Sequence, residues 1–303
     1  MRGWKPGTGP TLAEAAGLLA DRDLTIEGRL PWSSNLTFLV RLDGTEVVGP
    51  GSTDEEPPER HGVETGFETG VETDVELDVE LDVESDDRIG DGFDGGPDDG
   101  GESDGVPVRA VYKPHQGERA LWDFPDGLFR REAAAYALSE ALGWGLVPPT
   151  VVRHDAPFGS GSLQLFIESD YRQHYFTLLE EGDRDDELRV FCAFDIVANN
   201  ADRKSGHVLY GSDGRLWGID HGLCFHAQHK LRTVIWEFAE EEVPDRIVGD
   251  LRRLVEVGLP DDLLALVSGA EAEAVIERAA RLAAVGHFPE PLGDRPPYPW
   301  PLV

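Results

Sequence analysis

Alternating apolar and polar residues divide this chain into a strand-rich part followed by a helix-rich part. A capping box at Thr11–Glu14 predicts a short helix that ends near Asp21. Period-two alternation then predicts strands, bounded by turn residues, over residues 24–30, 36–42, 108–114, 151–153 and 163–168.

Helical periodicity dominates after the strands. It predicts helices over residues 128–142, 183–198 and, as an amphipathic series, 231–285. Strands with one helix, followed by helices with one hairpin, are typical of a two-lobed α+β fold. We therefore predict a β-rich N-lobe over residues 1–168 and a helical C-lobe over residues 169–303.

The hairpin in the helical part is predicted from Asp213-Gly214, which lies between two short apolar runs. This dipeptide favours a two-residue type I′ turn. Counting outward from that turn pairs Tyr210 with Trp217 and Val208 with Ile219. The same register makes His207 and Asp220 direct cross-strand neighbours.

An acidic low-complexity insert is predicted over residues 51–106, between the second and third strands. It contains about 21 acidic and two basic residues and a degenerate repeat of the type VELD. Like charges at every second or third position, without an apolar face, favour disorder. A calcium site in its Asp-Gly clusters and a protein partner for the insert remain open alternatives.

Composition and charge limit the remaining possibilities. The formal net charge is −32, and no basic patch is visible, so we expect neither a nucleic-acid partner nor a stable membrane anchor. No apolar run reaches the roughly 18 residues of a membrane span, and the N-terminus lacks a secretory signal, so we expect a cytoplasmic protein. Cys192 and Cys224 lie in apolar contexts and are predicted to be buried free thiols.

Phosphoryl transfer requires a cation on the phosphates, and the chain offers one candidate on a predicted strand. Lys113 is one of only four lysines. Glu132, on the helix at 128–142, would hold that lysine in place. The turn Ser33, Ser34 and Asn35 would offer backbone N–H groups to the phosphates.

The same chemistry requires a metal ligand and a group that orients the acceptor hydroxyl. Asp220, at the end of an apolar strand, is the predicted metal ligand, with His207 as its direct or indirect partner. Asp202, in the polar loop before the hairpin, would align the hydroxyl. These residues also permit simpler roles, with Lys113 at a sheet edge, Glu132 paired with a neighbouring arginine, and Asp202 paired with Arg203.

A second cluster, HGLCFHAQH, brings His221, His226 and His229 close together in the sequence. Its spacing matches no common structural zinc pattern. A zinc site is therefore the weaker hypothesis for these histidines.

The chain resembles the phosphatidylinositol 3-/4-kinase-like family, most closely the type II phosphatidylinositol 4-kinases and their actinobacterial relatives. Five ordered segments carry the resemblance: YKP at 112–114, LVPPT at 146–150, LQLFIE at 163–168, NADR at 200–203 and IDHGLCF at 219–225. It implies a two-lobed protein-kinase-like fold that binds ATP between the lobes with Mg²⁺ or Mn²⁺. It also implies that Lys113 binds the phosphates, Asp202 is the catalytic aspartate and Asp220 binds the metal. The hinge beside adenine would be formed by Leu165, Phe166 and Ile167.

Two departures from the family pattern bear on activity. His207 and His221 stand where the family usually has Asn, and imidazole suits Mn²⁺ better than Mg²⁺. The cysteine-rich lipidation segment of the type II lipid kinases is absent. We therefore predict a kinase that acts on a small-molecule or protein hydroxyl rather than a lipid. A nucleotide-sensing pseudokinase and a nucleotidyl transferase on the same fold are the alternatives.

Overall fold

The computed structural model describes residues 11–30, 35–48, 105–292 and 296–302, with side chains described at all of these positions except 45–48 and 105–106. Helices and strands are numbered in chain order. The helices are α1 (Leu12–Asp21), α2 (Leu128–Leu142), α3 (Tyr175–Glu181), α4 (Asp185–Ala198), α5 (Asp245–Val257), α6 (Asp261–Leu264) and α7 (Gly269–Val285). The strands are β1 (Leu24–Arg29), β2 (Phe38–Val48), β3 (Gly105–Pro114), β4 (Thr150–Arg153), β5 (Gly161–Leu165), β6 (Val208–Tyr210) and β7 (Leu216–Gly218).

Five strands form one antiparallel sheet in the order β1-β2-β3-β5-β4. Its apolar side chains pack with α1, whose predicted capping box is present, since Thr11 and Glu14 bond each other's backbone N–H groups. The larger core lies among α2, α4, α5 and α7. An antiparallel sheet followed by helices is the predicted two-lobed α+β architecture.

Each lobe contributes to the core of the other. The apolar face of α2, which includes Ala134 and Leu138, packs in the larger core, among the helices that follow the sheet. Conversely, Trp217 of the β6–β7 hairpin is buried in the core of the large sheet. The predicted division at residue 168 remains a proposal, because these elements join the two cores.

The acidic insert lies largely outside the described residues, and so do the Asp-Gly clusters on which the calcium hypothesis rests. Ser33 and Ser34 of the predicted phosphate turn also lie outside them. The predicted disorder extends two residues too far, because β3 already begins at Gly105. Gly105 pairs with Val48 and Val106 with Val47. The two strands that flank the insert are therefore direct neighbours in the sheet.

The predicted register of the hairpin is wrong by one residue. Tyr210 pairs with Leu216 and Val208 with Gly218, because the turn has three residues rather than two. The Gly214 N–H donates to Gly211 O and the Gly211 N–H to Arg215 O, while Gly214 has φ +77°. A type I turn followed by a left-handed glycine is the usual three-residue hairpin loop.

Several other boundaries differ from the prediction, including those of β2, which covers Phe38–Val48, and of β5. β5 covers Gly161–Leu165 rather than residues 163–168, since pairing with β3 starts at Gly161. A Cβ atom at position 161 would lie 2.4 Å from Lys113 O, so only glycine fits there. This glycine, a residue type common in turns, is therefore part of a strand.

The predicted helical series begins too early, because the first described helix after the hairpin is α5. The segment before it is extended along the loop that contains Asp202. Arg232 N donates to Asn200 O, and Arg203 N donates to Arg232 O. Its backbone groups therefore bond to that loop instead of to a helix.

Substitutions of Gly214 will test the corrected hairpin turn. No atom lies within 4 Å of a Cβ placed there, so only the positive φ opposes a side chain. Gly214→Asn is expected to be tolerated, because Asn enters the left-handed region readily, whereas Gly214→Val should destabilise the fold by about 1–2 kcal/mol. Urea unfolding measures both, and equal stability of the two variants would contradict the turn assignment.

Candidate functional site

Lys113 lies near the end of β3, opposite Ser162 of β5. Its Nζ donates to Glu132 Oε1 at 2.5 Å and to Asp220 Oδ1 at 2.9 Å. Burial disfavours the charged amine, but the carboxylates of Asp220 and Glu132 outweigh it and raise the pKa of Lys113. Lys113 thus remains charged while it joins the strand, α2 and the end of the hairpin.

Glu132 is 3% exposed and uses both carboxylate oxygens. Oε1 accepts from Lys113, and Oε2 accepts from the His221 N–H at 2.9 Å. Burial raises the pKa of Glu132 despite the nearby lysine. The alternative in which Glu132 pairs with a neighbouring arginine is wrong, because Arg131 bonds Glu271 instead.

Asp220 follows β7 with φ +59°, a left-handed conformation that turns its side chain out of the strand direction. It therefore meets His207 although the two are not register partners, with Oδ2 3.3 Å from His207 Nε2. Lys113 lowers the pKa of Asp220 well below its usual range. The carboxylate is ionised and 46% exposed, so it can accept a further ligand.

His207 acts here as a hydrogen-bond donor. Its Nδ1 accepts from the Lys204 N–H at 3.4 Å, which leaves the proton on Nε2, facing Asp220. Burial lowers the pKa of His207 to about 4. The imidazole is neutral at pH 7, and Nε2 would have to lose its proton to bind a metal.

Asp202 lies in the loop between α4 and β6, and its Oδ2 is 3.2 Å from Lys204 Nζ. Burial raises its pKa, although Lys204 opposes this. The alternative pairing with Arg203 is wrong, because Arg203 bonds Asp195 at 2.9 Å. The loop thus presents one carboxylate and one amine to the site.

Arg203 and Asp195, both fully buried, form a network that sequence reasoning missed. Asp195 also accepts from Asn200 Nδ2 and Thr233 Oγ1, each at 3.0 Å. Arg203 Nη1 donates to the carbonyls of His207 and Ile219 at 3.1 Å. The network therefore fixes the Asp202 loop and both hairpin strands. The one sequence feature that could have indicated this network is the acidic residue inside an apolar helix, in FCAFDIVA.

A cavity of about 200 Å³ opens beside these groups. Its walls include Lys113, Glu132, Asp202 and Asp220 from the predicted site. Asn35 also lines it, and its Oδ1 accepts from the Arg119 N–H at 3.0 Å. The cavity thus brings together most of the described residues expected to contact phosphate, metal and acceptor.

The predicted hinge is not among the walls of this cavity. Leu165 and Ile167 are buried in the core of the sheet. The Phe166 N–H donates to Arg109 O at 3.0 Å. A role for these residues beside adenine remains a proposal.

The donors near Asp220 would suit a divalent metal ion. Asp220 and His207 supply one carboxylate and one imidazole, and kinase sites hold Mg²⁺ through few protein ligands plus the nucleotide. Among the described residues, ligand atoms of three such side chains come within 4.8 Å of one another only at His115, Glu118 and Asp126. The residues that the structure describes therefore do not preform a cage of three His, Cys, Asp or Glu ligands at Asp220.

The zinc hypothesis for the histidine cluster is wrong. His221 Nε2 lies 2.7 Å from Arg203 Nη2 inside the buried network, and His226 Nδ1 accepts from the Gln228 N–H at 3.0 Å. These two rings have different partners and, with His229, form no set of converging ligands among the described residues. The predicted free thiols are confirmed, because Cys192 and Cys224 are both buried and unbridged.

Comparison with known proteins identifies the family. The model of the phosphatidylinositol 3- and 4-kinases matches residues 143–262, which include Asp202, His207 and Asp220. Protein Rv2133c of Mycobacterium tuberculosis is 40% identical over 231 residues, 64% of this chain and 82% of that protein. The chain belongs to the phosphatidylinositol 3- and 4-kinase family. The predicted membership is therefore confirmed.

Solved structures match this chain only at low sequence identity. The Golgi casein kinase is 12% identical with a TM-score of 0.42, covering 90% of this chain and 73% of that chain. The structure of hydra Fam20 with sugar is 11% identical with a TM-score of 0.43, and the match covers 90% of this chain and 87% of that chain. The kinase-like fold assignment rests on the family match and the two-lobed architecture, because these TM-scores are below 0.5. No described helix is long and apolar enough to span a membrane.

The neutral state of His207 predicts a pH dependence of stability. A pKa of about 4, against about 6.5 for unfolded histidine, means that unfolding takes up a proton between these values. The stability from keeping His207 neutral is complete above pH 6.5 and should fall as pH drops toward 4, by up to about 3 kcal/mol. His207→Asn should flatten this part of the profile, measured by urea unfolding at pH 4.5–7.5. Parallel profiles for the two proteins would contradict the assignment.

Proposed function

We propose that this protein is an ATP-dependent phosphotransferase that uses Mg²⁺ or Mn²⁺. The observation that carries the proposal is Lys113, which is held between Glu132 and Asp220 in the wall of the cavity that Asp202 also lines. One cation, one metal-binding carboxylate and one hydroxyl-orienting carboxylate are the parts that phosphoryl transfer needs.

Lys113 would bind the nucleotide phosphates. Its amine now bonds Asp220, and a nucleotide would compete for it, while Glu132 keeps the lysine in position. Glu132 is suited to this because it is buried and also bonds the backbone next to Asp220. Leu165, Phe166 and Ile167 remain our proposal for the adenine hinge.

Asp220 and His207 would hold the metal. When bound, that ion supplies positive charge to neutralise the charge that develops on the transferring phosphoryl group. The carboxylate of Asp220 suits Mg²⁺, whereas a neutral His207 imidazole suits Mn²⁺ better. His207 would favour Mn²⁺ over Mg²⁺ only when Nε2, which faces Asp220, has lost its proton and can bind the ion.

Asp202 would orient the acceptor hydroxyl and accept its proton. Lys204 Nζ, 3.2 Å from Asp202 Oδ2, would lie beside the acceptor hydroxyl. A chain with a formal net charge of −32 is poorly suited to an anionic lipid surface, so a small-molecule or protein hydroxyl is the favoured acceptor. We also propose a cytoplasmic location, no nucleic-acid partner, and a protein partner for the acidic insert.

Incubation with γ-labelled ATP and either metal tests this function. Transfer to a metabolite pool, to protein or to water should fall by about 10² or more in Asp202→Asn, while ATP binding is retained. Lys113→Met should weaken ATP binding as well. Asp186→Asn is the matched control, since that side chain is 98% exposed and pairs only with Arg189 among the described residues. Transfer that survives loss of Asp202 or Asp220 would refute the assigned roles.

A nucleotide-sensing pseudokinase is the second candidate. It is favoured by one observation, the His207 ring, whose Nε2 faces Asp220 at a position where the family usually has Asn. ATP binding without turnover in the native protein, with turnover gained in His207→Asn, would support it. Label from α-labelled ATP in the product would instead indicate nucleotidyl transfer.

A further inference from the structure

A second cavity, of about 540 Å³, lies beside α7. It is formed by Trp122 and Asp123 before α2, the segment around Lys230, the end of α7, and residues 287–292 and 296–297 after α7. None of its lining residues lines the cavity beside Lys113. Its volume is within the range of small-molecule binding sites.

Most of the wall is apolar. Two indole rings contribute, Trp122 and Trp236, together with Leu231, Leu282, Val285 and Phe288. Trp122 is 94% exposed and Val285 58% exposed, so large apolar surfaces stand open at the mouth. An apolar wall of this kind calls for an apolar body on the ligand.

The charged part of the wall is basic although the chain as a whole is strongly acidic. Lys230, Arg232, Arg278 and Arg281 line the cavity, against Asp123 and Glu290. Asp123 is already paired with Lys230 at 2.9 Å. The wall therefore has an excess of arginine in a chain with 59 acidic and 27 basic residues.

Arg278 carries a charge that its surroundings compensate poorly. Its Nε donates to Val197 O at 2.8 Å and its Nη1 to His226 O at 3.4 Å. Its Nη2 is buried without a hydrogen-bond partner among the described residues. Burial lowers the pKa of Arg278 to about 10. A partly buried cation whose hydrogen bonds go only to carbonyls is stabilised by a nearby anion.

We propose that this cavity binds an anionic amphiphile, a molecule with one carboxylate or phosphate head and a single apolar chain. The chain would lie against the indole and aliphatic wall, and the head would face the arginines. A cationic amphiphile would be repelled, and a neutral one would leave the arginine charge uncompensated. The inference does not depend on the proposed kinase activity.

The cavity wall is bonded to the catalytic loop. Arg232 lines the cavity, and its Nε donates to Ala201 O at 2.9 Å, next to Asp202. Arg232 N also donates to Asn200 O. An occupant of the cavity would therefore contact a segment that is hydrogen-bonded to the residues flanking Asp202.

Titration of the full-length protein with sodium dodecanoate below its micelle concentration tests the proposal. Calorimetry should give one saturable site, and the fluorescence of Trp122 and Trp236 should change with the same midpoint. Dodecyltrimethylammonium, with an equally long chain and the opposite charge, should bind at least about tenfold more weakly.

Variants at the exposed mouth of the cavity distinguish binding of dodecanoate in this cavity from non-specific binding elsewhere on the protein. Val285→Glu should weaken dodecanoate binding about fivefold to tenfold, whereas Val285→Lys should retain or strengthen it. Arg278→Gln should weaken binding about tenfold or more. Arg252→Gln, an exposed arginine on α5 outside the cavity, removes the same charge and should leave affinity unchanged.

Three results would overturn the proposal. These are no dodecanoate binding, equal binding of the cationic amphiphile, and equal affinity of Val285→Glu and Val285→Lys. Because Val285 is exposed, these two variants are informative even where Arg278→Gln fails to fold.

Discussion

The bridge from Lys113 to Glu132 and Asp220 is the interaction on which the site depends. It joins β3, α2 and the end of the β6–β7 hairpin through one amine and two carboxylates. Two negative charges beside one positive charge leave this bridge with a net negative charge. In the function we propose, the bridge would link the two lobes to metal and nucleotide binding.

Beneath this bridge, a buried network keeps the loop that contains Asp202 in place. Arg203 and Asp195 are both fully buried, which is costly unless every polar atom is bonded. Arg203 meets that requirement with a carboxylate, two carbonyls and an imidazole, and so fixes the backbone before β6 and after β7. His221 belongs to this network, which explains why this histidine, next to Asp220, faces inward, away from solvent.

Sequence reasoning predicted much of the fold and of the site, for identifiable reasons. The bounds of α2 and the end of α4 follow from apolar periodicity and the residues that end each helix. Lys113 and Glu132 could be paired because phosphoryl transfer needs a cation on the phosphates, and the acid on the following helix is a suitable partner for a lysine on a strand. The hairpin register could not be predicted, since Asp-Gly suits both two- and three-residue turns. The Arg203–Asp195 pair and the arginine-lined cavity depend on contacts between distant segments, which a single sequence does not show.

The most direct test of the account is a double-mutant cycle on Lys113→Met and Glu132→Gln, with stability measured by urea unfolding. Lys113→Met leaves the buried Glu132 carboxylate without its cation, and Glu132→Gln removes one of the two carboxylates bonded to Lys113, so each should destabilise the fold. The double variant should be less destabilised than the sum of the two by about 1 kcal/mol or more. Additive effects within about 0.3 kcal/mol would contradict a direct bridge between these residues.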